Sequence, residues 1–273
     1  MSRRSASDDE AGVSDDKPIA NPEAVSRRLT RPILPKRFYK EVSIGPGEGG
    51  GHALLLDGRT ARTPAKNLLA VRDAAVAEAL AAEWEAQAET IDPSRMPLTR
   101  LVNTALDRVV DAMEAVRADL VTHAGADLIC YRAEGPEGLI AAEDAAWAPL
   151  VDWARDHLGA RLVMTRGIVH VTQDEAAMVA IARAVEPFDA LGLAALHTVT
   201  TLTGSAVVGL ALARGRLTPA EAWAAAHVDE DWQMAKWGTD DAALTRRAAR
   251  FADLAAAALI LDRARDVANS LRD

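Results

Sequence analysis

From Lys36 onward the chain alternates between two hydrophobic rhythms. KRFYKEVSI (36–44) and HALLLDGRTART (52–63) hold strand-forming side chains in short runs, the second interrupted by the turn pair Asp57-Gly58. Between them lies GPGEGGG (45–51). No Gly-Lys-Ser/Thr follows it and it opens no helix, so it reads as a flexible hairpin loop rather than a phosphate cradle. With NLLAV (67–71) as a further short strand, residues 36–71 predict a small antiparallel sheet.

The period then lengthens. Asp73 is placed to cap AAVAEALAAEWEAQAE, where Val76, Leu80 and Trp84 recur on one helical face. IDPSRMP (91–97) breaks the pattern, and Leu98, Leu101, Ala105 and Val109 resume it. Further helices are predicted over Met113 to His123 and over 137–158, where Trp147, Leu150 and Trp153 share a face and Gly159 stands at the C-terminal cap. RLVMTRGIVHVT (161–172) alternates like a strand, either joining the first sheet or forming a hairpin of its own. From Asp174 helix follows helix, and the apolar stretch 188–213 reads as buried helix because its Asp, His, Thr and Gly residues do not suit a membrane span.

The resulting expectation is an α+β protein. A small antiparallel β-rich N-terminal domain over 36–100 precedes a larger all-α C-terminal domain over 101–273, with the boundary falling between about residues 90 and 115. Residues 1–35 carry few large apolar side chains and are expected to form a disordered tail. The acids Asp8, Asp9, Glu10, Asp15 and Asp16 argue against an organelle presequence, and no export signal is evident. A bacterial cytoplasm is the simplest compartment, with a mitochondrial matrix as the alternative.

Composition narrows the function classes. Half of the side chains, 49%, are hydrophobic, enough for a sizeable core, while a net charge of -9 repels nucleic acid and anionic membrane surfaces. Neither is an expected partner. The single cysteine, Cys130, lies in the apolar setting LICY and reads as a buried inert thiol, which also excludes an internal disulfide.

HVDEDWQMAKWG (227–238) places three acids and two tryptophans in one short run. Thr218, Pro219 and Glu221 supply a hydroxyl cap, a proline at the first helical position and a capping-box glutamate, which predicts one helix over 219–237. On it Trp223, His227, Glu230, Met234 and Trp237 form a stripe, with Val228 and Trp232 opposite. Glu230 is the acid on the apolar stripe. Its charge is neutralised either within the fold, by His227 or an arginine of another helix, or by another protein.

Catalytic signatures are weak. His227 and Glu230, and Asp119 and His123, have the spacing of two ligands on a helix, yet the paired Glu-x-x-His motifs of a carboxylate-bridged centre are missing, as are the zinc-protease and nucleophile-elbow motifs. His197 before HTVTTLTGS could act as a base near a hydroxyl. No catalytic residue, metal or cofactor is expected, with a helical metalloenzyme using His227 and Glu230, or a structural interaction module, as the alternative readings.

KRFYKEV, LDGRTARTPAKN, AAEWEAQAETIDPSRMPLTRLVNTALDRV, DLICYRAEGPEGL and DEDWQMAKWG, in this order from about Lys36 to Arg247, resemble the assembly chaperones for the alpha subunit of the F-type ATP synthase head. The resemblance implies a β-rich domain followed by a helical one, and a non-catalytic protein that binds the unassembled alpha subunit and shields its subunit interface. It points to Glu230 first, then Asp229, Asp231, Trp232, Gln233, Lys236 and Trp237 as partner-binding residues. Asp144 and Ala148 depart from the family pattern, which has glutamine and an acid there.

Overall fold

The computed structural model describes residues 34–270; the tail expected over 1–35 lies outside them but for Leu34 and Pro35. From Lys36 onward the described residues cluster as one compact unit with a continuous apolar core. The α+β expectation holds: a small antiparallel sheet comes first and helices follow.

Strands β1 (Val42–Pro46) and β2 (His52–Leu56) pair antiparallel from Val42↔Leu56 to Pro46↔His52. The glycine-rich stretch closes this hairpin, with Gly49 at φ 64° and Gly50 at φ 81°, conformations that a side chain would strain. β3 (Arg59–Thr60) and β4 (Ala70–Val71) both pair with β2. At the Asp57-Gly58 turn both residues have positive φ, and the Asp57 carboxylate accepts from Lys40 N and Glu41 N, each at 2.9 Å. Asp73 caps α1 (Ala74–Glu85) by accepting from Val76 N at 3.0 Å, as its position predicts. This helix lies on the sheet, and the Tyr39 hydroxyl donates to the Trp84 carbonyl at 2.7 Å.

Helix α2 (Pro97–Asp107) continues the core, and the Glu83 carboxylate accepts from its first free amides, Leu98 N at 2.7 Å and Thr99 N at 2.8 Å. The sheet layer and the helical body are thereby joined by charge-assisted bonds as well as by apolar contact. Then come α3 (Met113–Gly125), β5 (Tyr131–Arg132) and α4 (Glu137–Trp153). α4 runs on through a wider turn to Leu158 and ends at left-handed Gly159. The segment 161–172 does not join the N-terminal sheet, nor does it make a hairpin. Its short strand β6 (Thr165–Arg166) pairs parallel with β5, a partner distant in sequence.

α5 (Glu175–Val185) precedes α6 (Ala190–Thr203) and α7 (Ala206–Ala213). The apolar stretch is thus two buried helices rather than one, separated by left-handed Gly204 and by Ser205, whose hydroxyl accepts from Val208 N at 3.0 Å. Every residue of α7 is buried. Cys130 is also buried, and burial pushes its thiol up to about 12, so it is unreactive as the sequence predicts. The chain continues through α8 (Pro219–Ala226) and α9 (Val228–Trp237) into α10 (Asp241–Ser270), which packs along α6.

Candidate functional site

The capping box is present: Thr218 Oγ1 accepts from Glu221 N at 3.2 Å, and Glu221 accepts from Thr218 N at 2.8 Å. The single helix predicted over 219–237 is not. It breaks at His227, where φ is -122° and ψ is 26°. The break is held by the imidazole itself, which stacks on Trp223 with ring centroids 3.8 Å apart and places Nδ1 2.7 Å from the Trp223 carbonyl. Burial holds this histidine below its ordinary pKa, so it is neutral and forms part of the core.

The break divides the predicted stripe. Trp223 and His227 are buried, but Glu230 and Trp237 are exposed, Trp237 by 85%. No residue of α9 is buried. Trp232, expected to face the opposite side, is half-buried against Gly138 at the start of α4, with Lys236 Nζ 4.4 Å from its ring centre. Asp229, Asp231, Gln233 and Lys236 are exposed.

Glu230 does not stand as a buried acid on an apolar seam. Arg247 of α10 donates to it at 3.1 Å and to Asp231 at 2.5 Å, with its guanidinium 5.5 Å from the Trp223 ring. This is the arginine of another helix that the sequence left open as a partner. The Glu230 side chain is still 56% exposed, so its charge remains accessible. His227 and Glu230 are each engaged elsewhere, and among the described residues no group of three or more His, Cys, Asp or Glu side chains could hold a metal ion. His197 binds the Asp119 carboxylate at 2.8 Å, while the neighbouring Thr198 hydroxyl donates to the Ala194 carbonyl. Asp144 is paired with Arg132 at 2.7 Å.

The buried acid at this surface is Glu143 on α4, only 1% exposed. It accepts from Ala133 N at 2.7 Å and lies against Asp229, and burial, reinforced by Asp229, raises its pKa. Sequence reasoning overlooked it. The signal was present, since Glu143 precedes Trp147 by one turn on the face that continues to Leu150, the same pattern that singled out Glu230.

The sign of its pH effect follows from that shift. The folded state holds the proton more tightly, so stability falls as pH rises from the ordinary glutamate range through the raised folded value. Glutamine can accept from Ala133 N and donate to Asp229 at every pH. Glu143→Gln is therefore expected to flatten the decline of Tm between pH 5 and 8, measured by circular dichroism. A variant with the parent's slope would place the titration elsewhere.

Between α4 and the α8–α9 pair runs an apolar groove of about 550 Å³. Ala142, Ala146 and Leu150 form one wall, and Ala224, Val228 and Trp232 contribute to the other. Trp147 Nε1 donates to the Ala225 carbonyl at 2.6 Å behind it and fixes α4 to α8.

Residues 36–155 match the family described as ATP12 chaperone protein. A candidate chaperone from Agrobacterium tumefaciens is 45% identical, with a TM-score of 0.81 over 89% of this chain and 91% of that one. Atp12 from Paracoccus denitrificans, and an aspartate-to-lysine variant of it, are each 40% identical, with a TM-score of 0.76 over 84% of this chain and 97% of theirs. An α+β body with an outward helix of acids and tryptophan is thus, by its fold and its relatives, a chaperone. At this identity over most of its length, the chain belongs to the ATP12 chaperone family and is an ATP synthase assembly chaperone. Among the described residues no helix is long and apolar enough to cross a membrane.

Proposed function

We propose that this protein binds the unassembled alpha subunit of the F-type ATP synthase in the bacterial cytoplasm. It covers the surface that the alpha subunit later presents within the head, and does so without catalysis or a cofactor. The observation that carries this reading is α9, a helix with no buried residue and a tryptophan almost wholly in solvent. A ten-residue helix is marginal in isolation, and this one contributes little to the core, so its order is useful as a rigid recognition surface.

Trp237 is the proposed apolar anchor of that surface, and Asp229, Glu230, Asp231, Gln233 and Lys236 set the register around it, with Trp232 positioning the helix. Glu230 is the first choice for an essential contact because its carboxylate is exposed yet oriented by Arg247. Glu230→Ala is expected to leave the circular dichroism spectrum and Tm near those of the parent, since Glu230 is exposed and Arg247 keeps Asp231 as its partner, so that the loss is about 1 kcal/mol or less. Recovery of alpha subunit in a pull-down should fall about fivefold or more. Equal recovery with the variant would remove Glu230 from the contact, and no recovery with the parent would overturn the proposed client.

A further inference from the structure

The acidic face of α9 leaves the neighbouring groove without a task. We propose that the groove receives an amphipathic helical segment of the client, with arginine or lysine flanking its apolar face; this rests on the chaperone reading above. Ala142, Ala146 and Leu150 stand four apart on α4, which gives an apolar wall about 12 Å long, or about two helical turns. Alanines at 142, 146, 224 and 235 withhold the bulk that would otherwise fill the space between the helices. The open volume lies within the roughly 300–1,000 Å³ typical of ligand sites. Side chains spaced along one face of an entering helix can fill such a channel between helices, as in other helix-in-groove complexes.

Charge selects among apolar segments. The charged residues lining the groove are Glu221 and Asp231, with Asp229 and Glu230 exposed on the same helix. Of the nearby cations, Arg247 is already held by Glu230 and Asp231, Lys236 lies over the Trp232 ring and Arg216 stands by Glu221, so the acids Glu221, Asp229, Glu230 and Asp231 outnumber them. Arginine or lysine on the incoming segment would therefore meet unlike charge, whereas a segment with acidic flanks would be repelled. The overall charge of -9 steers the same choice at longer range.

The test uses the full chain and a fluorescein-labelled helical peptide of about 14 residues, with leucines along one face and arginines at both ends. Anisotropy should show saturable binding to the parent, at least tenfold weaker binding to Ala146→Phe, and no binding of the same peptide with glutamates at its ends. Ala224→Leu narrows the groove from an exposed position, so it supplies the blocked form if Ala146→Phe does not fold. Asp231→Asn should weaken binding severalfold and reduce its salt dependence. Suppression of alpha-subunit aggregation is measured in parallel. Absent peptide binding, or binding unaffected by a folded, blocked groove, overturns the groove assignment, and continued protection of the alpha subunit by the parent would leave the wider reading standing. Loss of that protection in the parent would count against the wider reading itself.

Discussion

Asp127→Ala is expected to lower the unfolding free energy by about 3 kcal/mol, because it strands buried backbone donors. The Asp127 carboxyl is wholly buried; it accepts from Ile129 N at 3.2 Å and from Val207 N at 3.0 Å, joining the turn before β5 to the first turn of α7. Leu128 N donates to the Gly204 carbonyl at 3.0 Å beside it, so one acid and one amide position the break between α6 and α7. Burial pushes the carboxyl up to about 6 despite the hydrogen bonds from Ser205, Val207 and Ile129 that favour its ionised form. The folded state therefore binds its proton more tightly than the unfolded chain. The stability associated with this group is complete below about pH 4, declines as pH rises toward about 6, and is constant above; the decline is on the order of 3 kcal/mol. Chemical denaturation of parent and Asp127→Asn at pH 4.5 and pH 7.5 separates the contributions, since the amide does not titrate in this range. The parent should lose stability between the two values and Asp127→Asn should lose less. If both lose equally, the decline belongs to other groups.

On the proposed function, Gly138→Val is expected to reduce alpha-subunit capture by more than tenfold while leaving the core intact. A Cβ at position 138 would overlap Cη2 of Trp232 and stand 3.1 Å from Cζ2, so the indole must leave its seat on α4. Trp232 is the largest of the half-buried side chains, with Val228 and Met234, by which the mostly exposed α9 rests on the body, and Lys236 lies over its ring. Displacing it should loosen α9 about the His227 break and scatter the acids that Arg247 now aligns. The cost in global stability should stay near 1–2 kcal/mol, because Gly138 is exposed and the overlap is local. Hydrogen exchange should show α9 amides losing protection in Gly138→Val while α6 and α7 amides keep theirs. Unchanged α9 protection together with full capture would show that the Trp232 seat does not matter.

Local pattern carried far in the sequence wherever the determinants are local. Asp73, Thr218 and Glu221 cap where their positions require, Gly159 ends α4, and the strands fall either side of the glycine-rich loop. Pattern failed where a distant partner decides. The strand-like run 161–172 gives no sign that Tyr131–Arg132 will pair with it in parallel, and Asp127 is an unremarkable acid until Val207 is brought to it. The break at His227 has the same origin. Helical periodicity runs through it, but the imidazole is committed to the Trp223 carbonyl and Arg247 stacks from α10, so the two halves present different faces. At the candidate site the sequence reading placed its residues on one segment but misjudged the environment of Glu230; a carboxylate expected against apolar neighbours stands in solvent, and the acid that is buried there belongs to α4.

The absence of buried residues from α9 has an evolutionary corollary. Substitutions along its outward face are nearly free of folding constraint, so, on the proposed function, the polypeptide surface it recognises could be exchanged for another by a handful of changes within ten positions. Such a chaperone resembles a handle with a removable bit, its stable body retained while the tip is recut for a new client.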